Sequence, residues 1–182
     1  YDKAAGDRYI IGHTFNGGIT YSSGLITKLN SSNEIVWSKR FPQLNTHVKG
    51  TAASIVDLSG TKYIAVFFHL SPNLSGDFKG GALMLLDTSG AIIHTRDLRE
   101  IATDTSFFVN SIISGGEGTG KFFISGSTSK VDGSIGRTPA WALCDVNDTQ
   151  LIKYIRYTEY AIGSTADPQT YDEYEAGWLD IG

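Results

Sequence analysis

Apolar residues come in short bursts along this chain, separated by clusters of Gly, Asn, Asp and Ser. Trp37-Ser38-Lys39-Arg40-Phe41 sets large apolar residues against Ser38 and Arg40, as a strand with one wet face requires. Leu83 to Leu86 is apolar at every position, which suits a strand enclosed on both faces. No helical period is sustained, and Asp97 to Asp104 is the only stretch that would tolerate a helical turn. The pattern predicts an all-β chain with strands near 8–13, 24–29, 34–41, 62–68, 82–86, 91–97, 108–113, 122–127, 140–145 and 151–157. A further short strand is expected over Ala53 to Asp57.

The bursts repeat. Gly6-Asp7-Arg8-Tyr9-Ile10, Gly60-Thr61-Lys62-Tyr63-Ile64 and Gly120-Lys121-Phe122-Phe123-Ile124 each set a Gly, two residues, an aromatic and an Ile in order. A second strand follows each, at Gly24 to Leu29, Gly81 to Leu86 and Pro139 to Cys144. Each second strand runs into a turn led by Asn30, Asp87 or Asp145, residues whose side chains bond their own backbone in turns. A third strand leaves each turn, and a leading strand precedes the second and third copies. Ile162-Gly163-Ser164-Thr165 echoes Ser125-Gly126-Ser127-Thr128, and Trp178 follows Gly163 at the spacing by which Trp141 follows Gly126.

Units of this kind cannot bury their faces alone and must stack. The expected architecture is a run of consecutive four-stranded antiparallel blades of a β-propeller, belonging to a larger propeller. The approximate blades are 1–43, 51–100, 106–159 and a partial one at 160–182. The anchors Gly12, Val66, Gly126 and Gly163 lie 54, 60 and 37 residues apart, so the last interval is short by a strand and a loop. Because the first copy lacks a leading strand and the last a third strand, further blades or subunits are expected at both ends.

Together the Gly-x-x-aromatic-Ile entry, the Asp/Asn-led turn and Ile35-Val36-Trp37-Ser38-Lys39 resemble the repeats of bacterial secreted β-propellers, the SBBP-like and quinoprotein-like blades. They are unlike WD40 or kelch repeats. The resemblance implies an extracytoplasmic scaffold or recognition module. The calcium ligands and stacked Trp floor of true quinoprotein dehydrogenases have no match among these residues.

Charge narrows the choice of partner. Fifteen basic and 19 acidic residues give a net charge of −4, and Lys39-Arg40 is the densest basic spot. Nucleic acid is therefore not expected, since phosphate binding concentrates several cations on one face. The longest apolar runs, such as Tyr63 to Leu70, fall far short of the ~20 residues that span a bilayer as a helix.

Candidate chemistry is sparse. Cys144 is the single cysteine and reads as a small buried hydrophobe. His13, His47, His69 and His94 lack short metal-ligand spacing and read as structural or solvent-facing residues, although His13 and His69 fall at nearby positions of adjacent copies, where one shared channel is open to them. Asp172, Glu173 and Glu175 form the only acidic cluster; it reads first as a solvated loop and second as a calcium candidate, because hard oxygen ligands suit that ion, though it lacks the order of an EF-hand loop. No other cofactor is expected. Gly115-Gly116-Glu117-Gly118-Thr119-Gly120-Lys121 imitates a phosphate loop but lies between two strands, so a hairpin turn is expected there. Asn30, Asn73 and Asn147 head Asn-x-Ser/Thr sequons in expected loops, the acceptors for N-glycosylation in a secreted protein. Tyr157, Tyr160, Tyr171, Tyr174 and Trp178 crowd the final copy; they read as blade core, with stacked rings beside carboxylates suiting a sugar as the alternative.

These readings favour a non-enzymatic structural or recognition module of an extracellular or cell-surface protein. Its blade loops would serve adhesion, assembly or the binding of a protein or glycan. The alternative is a propeller-type hydrolase or lyase whose active residues converge from several blades and leave no local motif.

Overall fold

A computed structural model of the chain describes residues 6–15, 21–42, 46–71, 80–98, 105–130 and 138–157. Every regular element among them is a strand, and all pairing between strands is antiparallel. The strands are β1 (Arg8–Thr14), β2 (Ser23–Leu29), β3 (Ile35–Phe41), β4 (His47–Leu58), β5 (Thr61–Ser71), β6 (Gly81–Asp87), β7 (Ile92–Asp97), β8 (Thr105–Ser114), β9 (Lys121–Lys130), β10 (Thr138–Asp145) and β11 (Ile152–Tyr157). They form three meandering sheets, ordered β1-β2-β3, β4-β5-β6-β7 and β8-β9-β10-β11. The short strand expected at 53–57 is the second half of β4, which starts six residues earlier at His47 and ends at Leu58.

Local chemistry explains the turns. Gly6, Gly60 and Gly120 take φ of 71°, 86° and 66°, so the repeated Gly supplies a left-handed residue that a β-carbon would disfavour. Asn30 Oδ1 accepts the N–H groups of Ser32 and Glu34, each at 2.9 Å. Asp87 Oδ1 accepts those of Ser89 at 2.8 Å and Ala91 at 2.9 Å. Both turns then place a left-handed residue, Asn33 or Gly90, three positions on. The Ser89 hydroxyl and the Ala91 N–H hold the Asp87 carboxyl below its ordinary range. The third turn is two residues longer: Asp145 N–H reaches Leu151 O at 2.9 Å, and Leu151 takes a positive φ of 62°.

Packing follows the period of two. In β5, Ala65 and Phe67 join one buried cluster, while Ile64, Val66, Phe68 and Leu70 join the other. In β6, Leu83 and Leu85 go with the first, Ala82 and Leu86 with the second. The middle sheet is thus sandwiched, with Ile26, Tyr9 and Trp37 of the first sheet on one side. Phe107, Phe122, Ile124 and Ala142 of the third sheet lie on the other. Each fully buried Leu or Phe contributes ~1.5–3 kcal/mol relative to exposure, which makes the two inter-sheet layers the main source of stability.

The register varies where the facing does not. Leu29 opposes Arg8 and Cys144 opposes Phe122, each two residues past the turn Gly, but Leu86 opposes Ile64, four past it. A slip of two preserves the buried face, whereas a slip of one would invert it.

Candidate functional site

The two ends of the stack differ. Tight turns join β2 to β3, β4 to β5, β6 to β7, β8 to β9 and β10 to β11, all at one end. The other connections, β1–β2, β3–β4, β5–β6, β7–β8 and β9–β10, leave from the opposite end. The antiparallel meander dictates this alternation within each sheet. Cross-sheet bonds fix the same sense between sheets. Val48 N–H donates to Ser22 O at 3.1 Å where β4 begins beside β2, and Phe107 N–H donates to Leu98 O at 2.8 Å where β8 begins.

The tight-turn end is locked. Asp57 Oδ1 accepts Gly60 N–H at 2.9 Å within its own sheet and Gly118 N–H at 3.0 Å from the next. Gly120 N–H donates to Asp57 O at 2.7 Å. The glycine-rich run 115–121 therefore joins β8 to β9 as a hairpin, and the N–H groups of Gly118 and Gly120 are taken by Asp57, whose carboxylate would repel a phosphate. Trp37 Nε1–H donates to Thr88 O at 3.1 Å, and Arg96 donates to Gln150, so each outer strand grips the following sheet's turn.

The loop end carries an aromatic and imidazole cluster. The ring of Phe15 lies 5.6 Å from that of His13 and 6.4 Å from that of His47, and Tyr21 stands 5.0 Å from His47. His47 is buried, and its Nδ1 accepts Ser22 N–H at 3.1 Å while the Ser22 hydroxyl donates to Val48 O at 3.2 Å. That bond fixes the ring between the first two sheets. His69 instead packs at 4.9 Å against Phe67 and 6.0 Å from Phe108 of the third sheet. His13 and His69 thus belong to successive gaps with the middle sheet between them, rather than to one channel. His94 lies on β7 within electrostatic reach of Asp148 at the tight-turn end.

Among the other sequence candidates, Cys144 is buried and its thiol is pushed well up by desolvation, which leaves it protonated and unreactive. Asn30 is committed to its turn, with Nδ2 donating to Glu34 Oε2 at 2.8 Å. Asn147 stands exposed in the β10–β11 turn. Asn73, Asp172, Glu173, Glu175, Tyr160, Tyr171, Tyr174 and Trp178 lie outside the described residues. Among the described residues, no group of three His, Cys, Asp or Glu side chains is placed to hold a metal ion. No described helix is long and apolar enough to cross a membrane.

A groove of about 720 Å³ opens between the first two sheets, lined by Lys39, Phe41, Pro42, Met84 and Ile92 among others. Lys39 Nζ lies 5.8 Å from the centre of the Trp37 ring, so its charge is already engaged and the groove offers mainly an apolar wall.

Phe15 and Tyr21 were not marked by any motif. Their signal was the contrast between the short Asn/Asp-led turns and the longer polar stretches that alternate with them along the chain. No family model matches this sequence and no curated protein matches it, so the likeness to secreted propeller blades rests on the repeat residues themselves.

Proposed function

We propose that this chain is a non-enzymatic recognition module of an extracellular or cell-surface protein, built as consecutive β-propeller blades. It would meet a protein or glycan partner through the loop end of the stack. The observation that carries this reading is the segregation of connections, with mutually bonded turns of two to six residues at one end and, β3–β4 apart, connections of seven to nine residues at the other. Rigid sheets with functional loops gathered at one end are a general device for binding. The propeller reading is supported by β4, which runs close to β8 on one side and to β1 and β2 on the other, as leading strands do when blades converge on an axis. Further blades or subunits would cover the outward faces of the stack.

The test is a pair of binding screens, on a glycan array and on immobilised extracellular matrix proteins. The native chain is expected to bind one class. A variant with residues 72–79 and 131–137 each replaced by an Asn-Gly turn should bind at least ~10-fold more weakly while keeping its strand signal in circular dichroism. Unchanged binding by the shortened variant would place recognition elsewhere. Turnover of glycoside or ester substrates by the native chain would favour the hydrolase alternative.

A further inference from the structure

The repeat places one pair of side chains twice. His13 and Phe15 lie one and three positions past the anchor Gly12, and Phe67 and His69 lie one and three past the anchor Val66. In each pair the imidazole meets the phenyl ring edge to face, at 5.6 Å and 82° in the first copy and at 4.9 Å and 85° in the second. Each pair prolongs the face that its sheet turns to the next one. Tyr9 and Ile11, before His13, pack on the cluster shared with the middle sheet, and Ala65, before Phe67, joins the cluster shared with the third. The second pair is closed over. Phe67 is 0% exposed, and Phe108 of the third sheet, 4% exposed, sets its ring 6.0 Å from His69. The first pair stands open, with His13 exposed and Phe15 52% exposed.

The surroundings of the open pair are fixed. His47 is buried beside it, with Nδ1 accepting Ser22 N–H at 3.1 Å. The His47 ring lies 6.4 Å from that of Phe15 and 5.0 Å from that of Tyr21. Phe15 is therefore braced by two imidazoles, and a braced ring gives up little side-chain freedom when a ligand settles on it. The cluster joins a phenyl face to imidazole and phenol edges that donate and accept hydrogen bonds, and none of its rings carries a fixed charge. That combination matches a pyranose, which has an apolar face of C–H groups, a rim of hydroxyls and no charge to balance. A protein partner would instead seat an anchoring side chain in a buried pocket, whereas the Phe15 ring lies open.

We propose that the loop end of the gap between the first two sheets is a binding site for a neutral glycan. One sugar ring stacks on Phe15, and its hydroxyls bond to the His13 imidazole and the Tyr21 phenol. His47 touches no sugar and acts as a positioning residue, holding Phe15 and Tyr21 through its bond to Ser22. This rests on the recognition reading above and names the place and the ligand class. The second gap has no such site, because Phe108 occupies the space beside its imidazole and phenyl pair.

The experiment titrates the whole chain with neutral disaccharides at millimolar concentration: lactose, cellobiose, maltose and N,N′-diacetylchitobiose. Saturation-transfer NMR is expected to show transfer onto the C–H protons of one sugar face for at least one probe, with shifts of the Phe15 and His13 ring resonances. Phe15→Ala should weaken that binding at least ~10-fold, and Phe15→Trp should retain it, both with an unchanged strand signal and melting midpoint. Tyr21→Phe should weaken it ~3–10-fold. No transfer to any probe overturns the proposal, as does binding that Phe15→Ala leaves unchanged. Capture of a matrix protein by the loop end that survives Phe15→Ala, with no sugar bound, would sink the glycan site and leave the recognition reading standing.

Discussion

Gly126→Ala is expected to destabilise the protein by about 3 kcal/mol or more, at or beyond the upper end of what overpacking usually costs. A β-carbon at Gly126 would lie 1.8 Å from Phe108 O and 2.9 Å from Phe108 C. Both are backbone atoms, so no side-chain rotation relieves the clash. Gly126 sits in β9 opposite Val109, beside the register shift between Val109 and Ser111 in β8. The carbonyl there leans into the space that only hydrogen leaves open. At ~2–4 °C per kcal/mol for a chain of this size, the melting midpoint should fall by roughly 6–12 °C. Gly12→Ala is the control, because its β-carbon would meet nothing within 4 Å. It should change stability by less than ~0.5 kcal/mol. Equal midpoints for the two variants would mean that β8 and β9 do not approach as described.

Phe68→Ala is expected to cost ~3–5 kcal/mol in urea unfolding, without a change in the denaturant slope beyond error. Phe68 is fully buried in β5, and its ring lies 5.3 Å from that of Phe41 across the gap between the first two sheets. Its ring also occupies the space over Gly24, whose β-carbon would stand 2.4 Å from Phe68 Cε1. Truncation would therefore leave a cavity bounded by two sheets that are tied at both ends. Trp37 bonds to Thr88 at one end and Ser22 to His47 and Val48 at the other, so the walls have little freedom to collapse. Ile35→Ala, on the outward face, should cost less than ~1 kcal/mol. A Phe68→Ala penalty as small as that of Ile35→Ala would argue that the first two sheets do not pack together.

Much of the fold was legible because strand chemistry is local. The alternation of Trp37 to Phe41 and the apolar run of Leu83 to Leu86 mark β3 and β6 directly. Asn30 and Asp87 mark turns through side chains that bond within a few residues. What escaped is long-range. The full length of β4 was hidden because His47 to Thr51 is polar or small except at Val48 and forms a strand by pairing with β5. The offset of the middle hairpin depends on pairing that the turn Gly does not encode. Asp57 reads as the end of a short strand, yet its carboxylate accepts an N–H from Gly118, 61 positions along the chain. The loop-end cluster escaped for the same reason, since Phe15, Tyr21 and His47 meet only once two sheets have stacked. His13 and His69 looked equivalent by copy number, but one sheet of thickness stands between their gaps.

The stack itself is tested most directly by residue-resolved hydrogen–deuterium exchange on the native chain. Amides open with free energies that rise with burial and local contact density. The slowest exchange is expected at Ile64 to Phe68 and Leu83 to Leu86, the strands of the middle sheet enclosed on both faces. Exchange should quicken outward through β3 and β7, whose residues are largely exposed. Slowest exchange in β1 to β3, or equal protection across the three sheets, would contradict a middle sheet held between two neighbours.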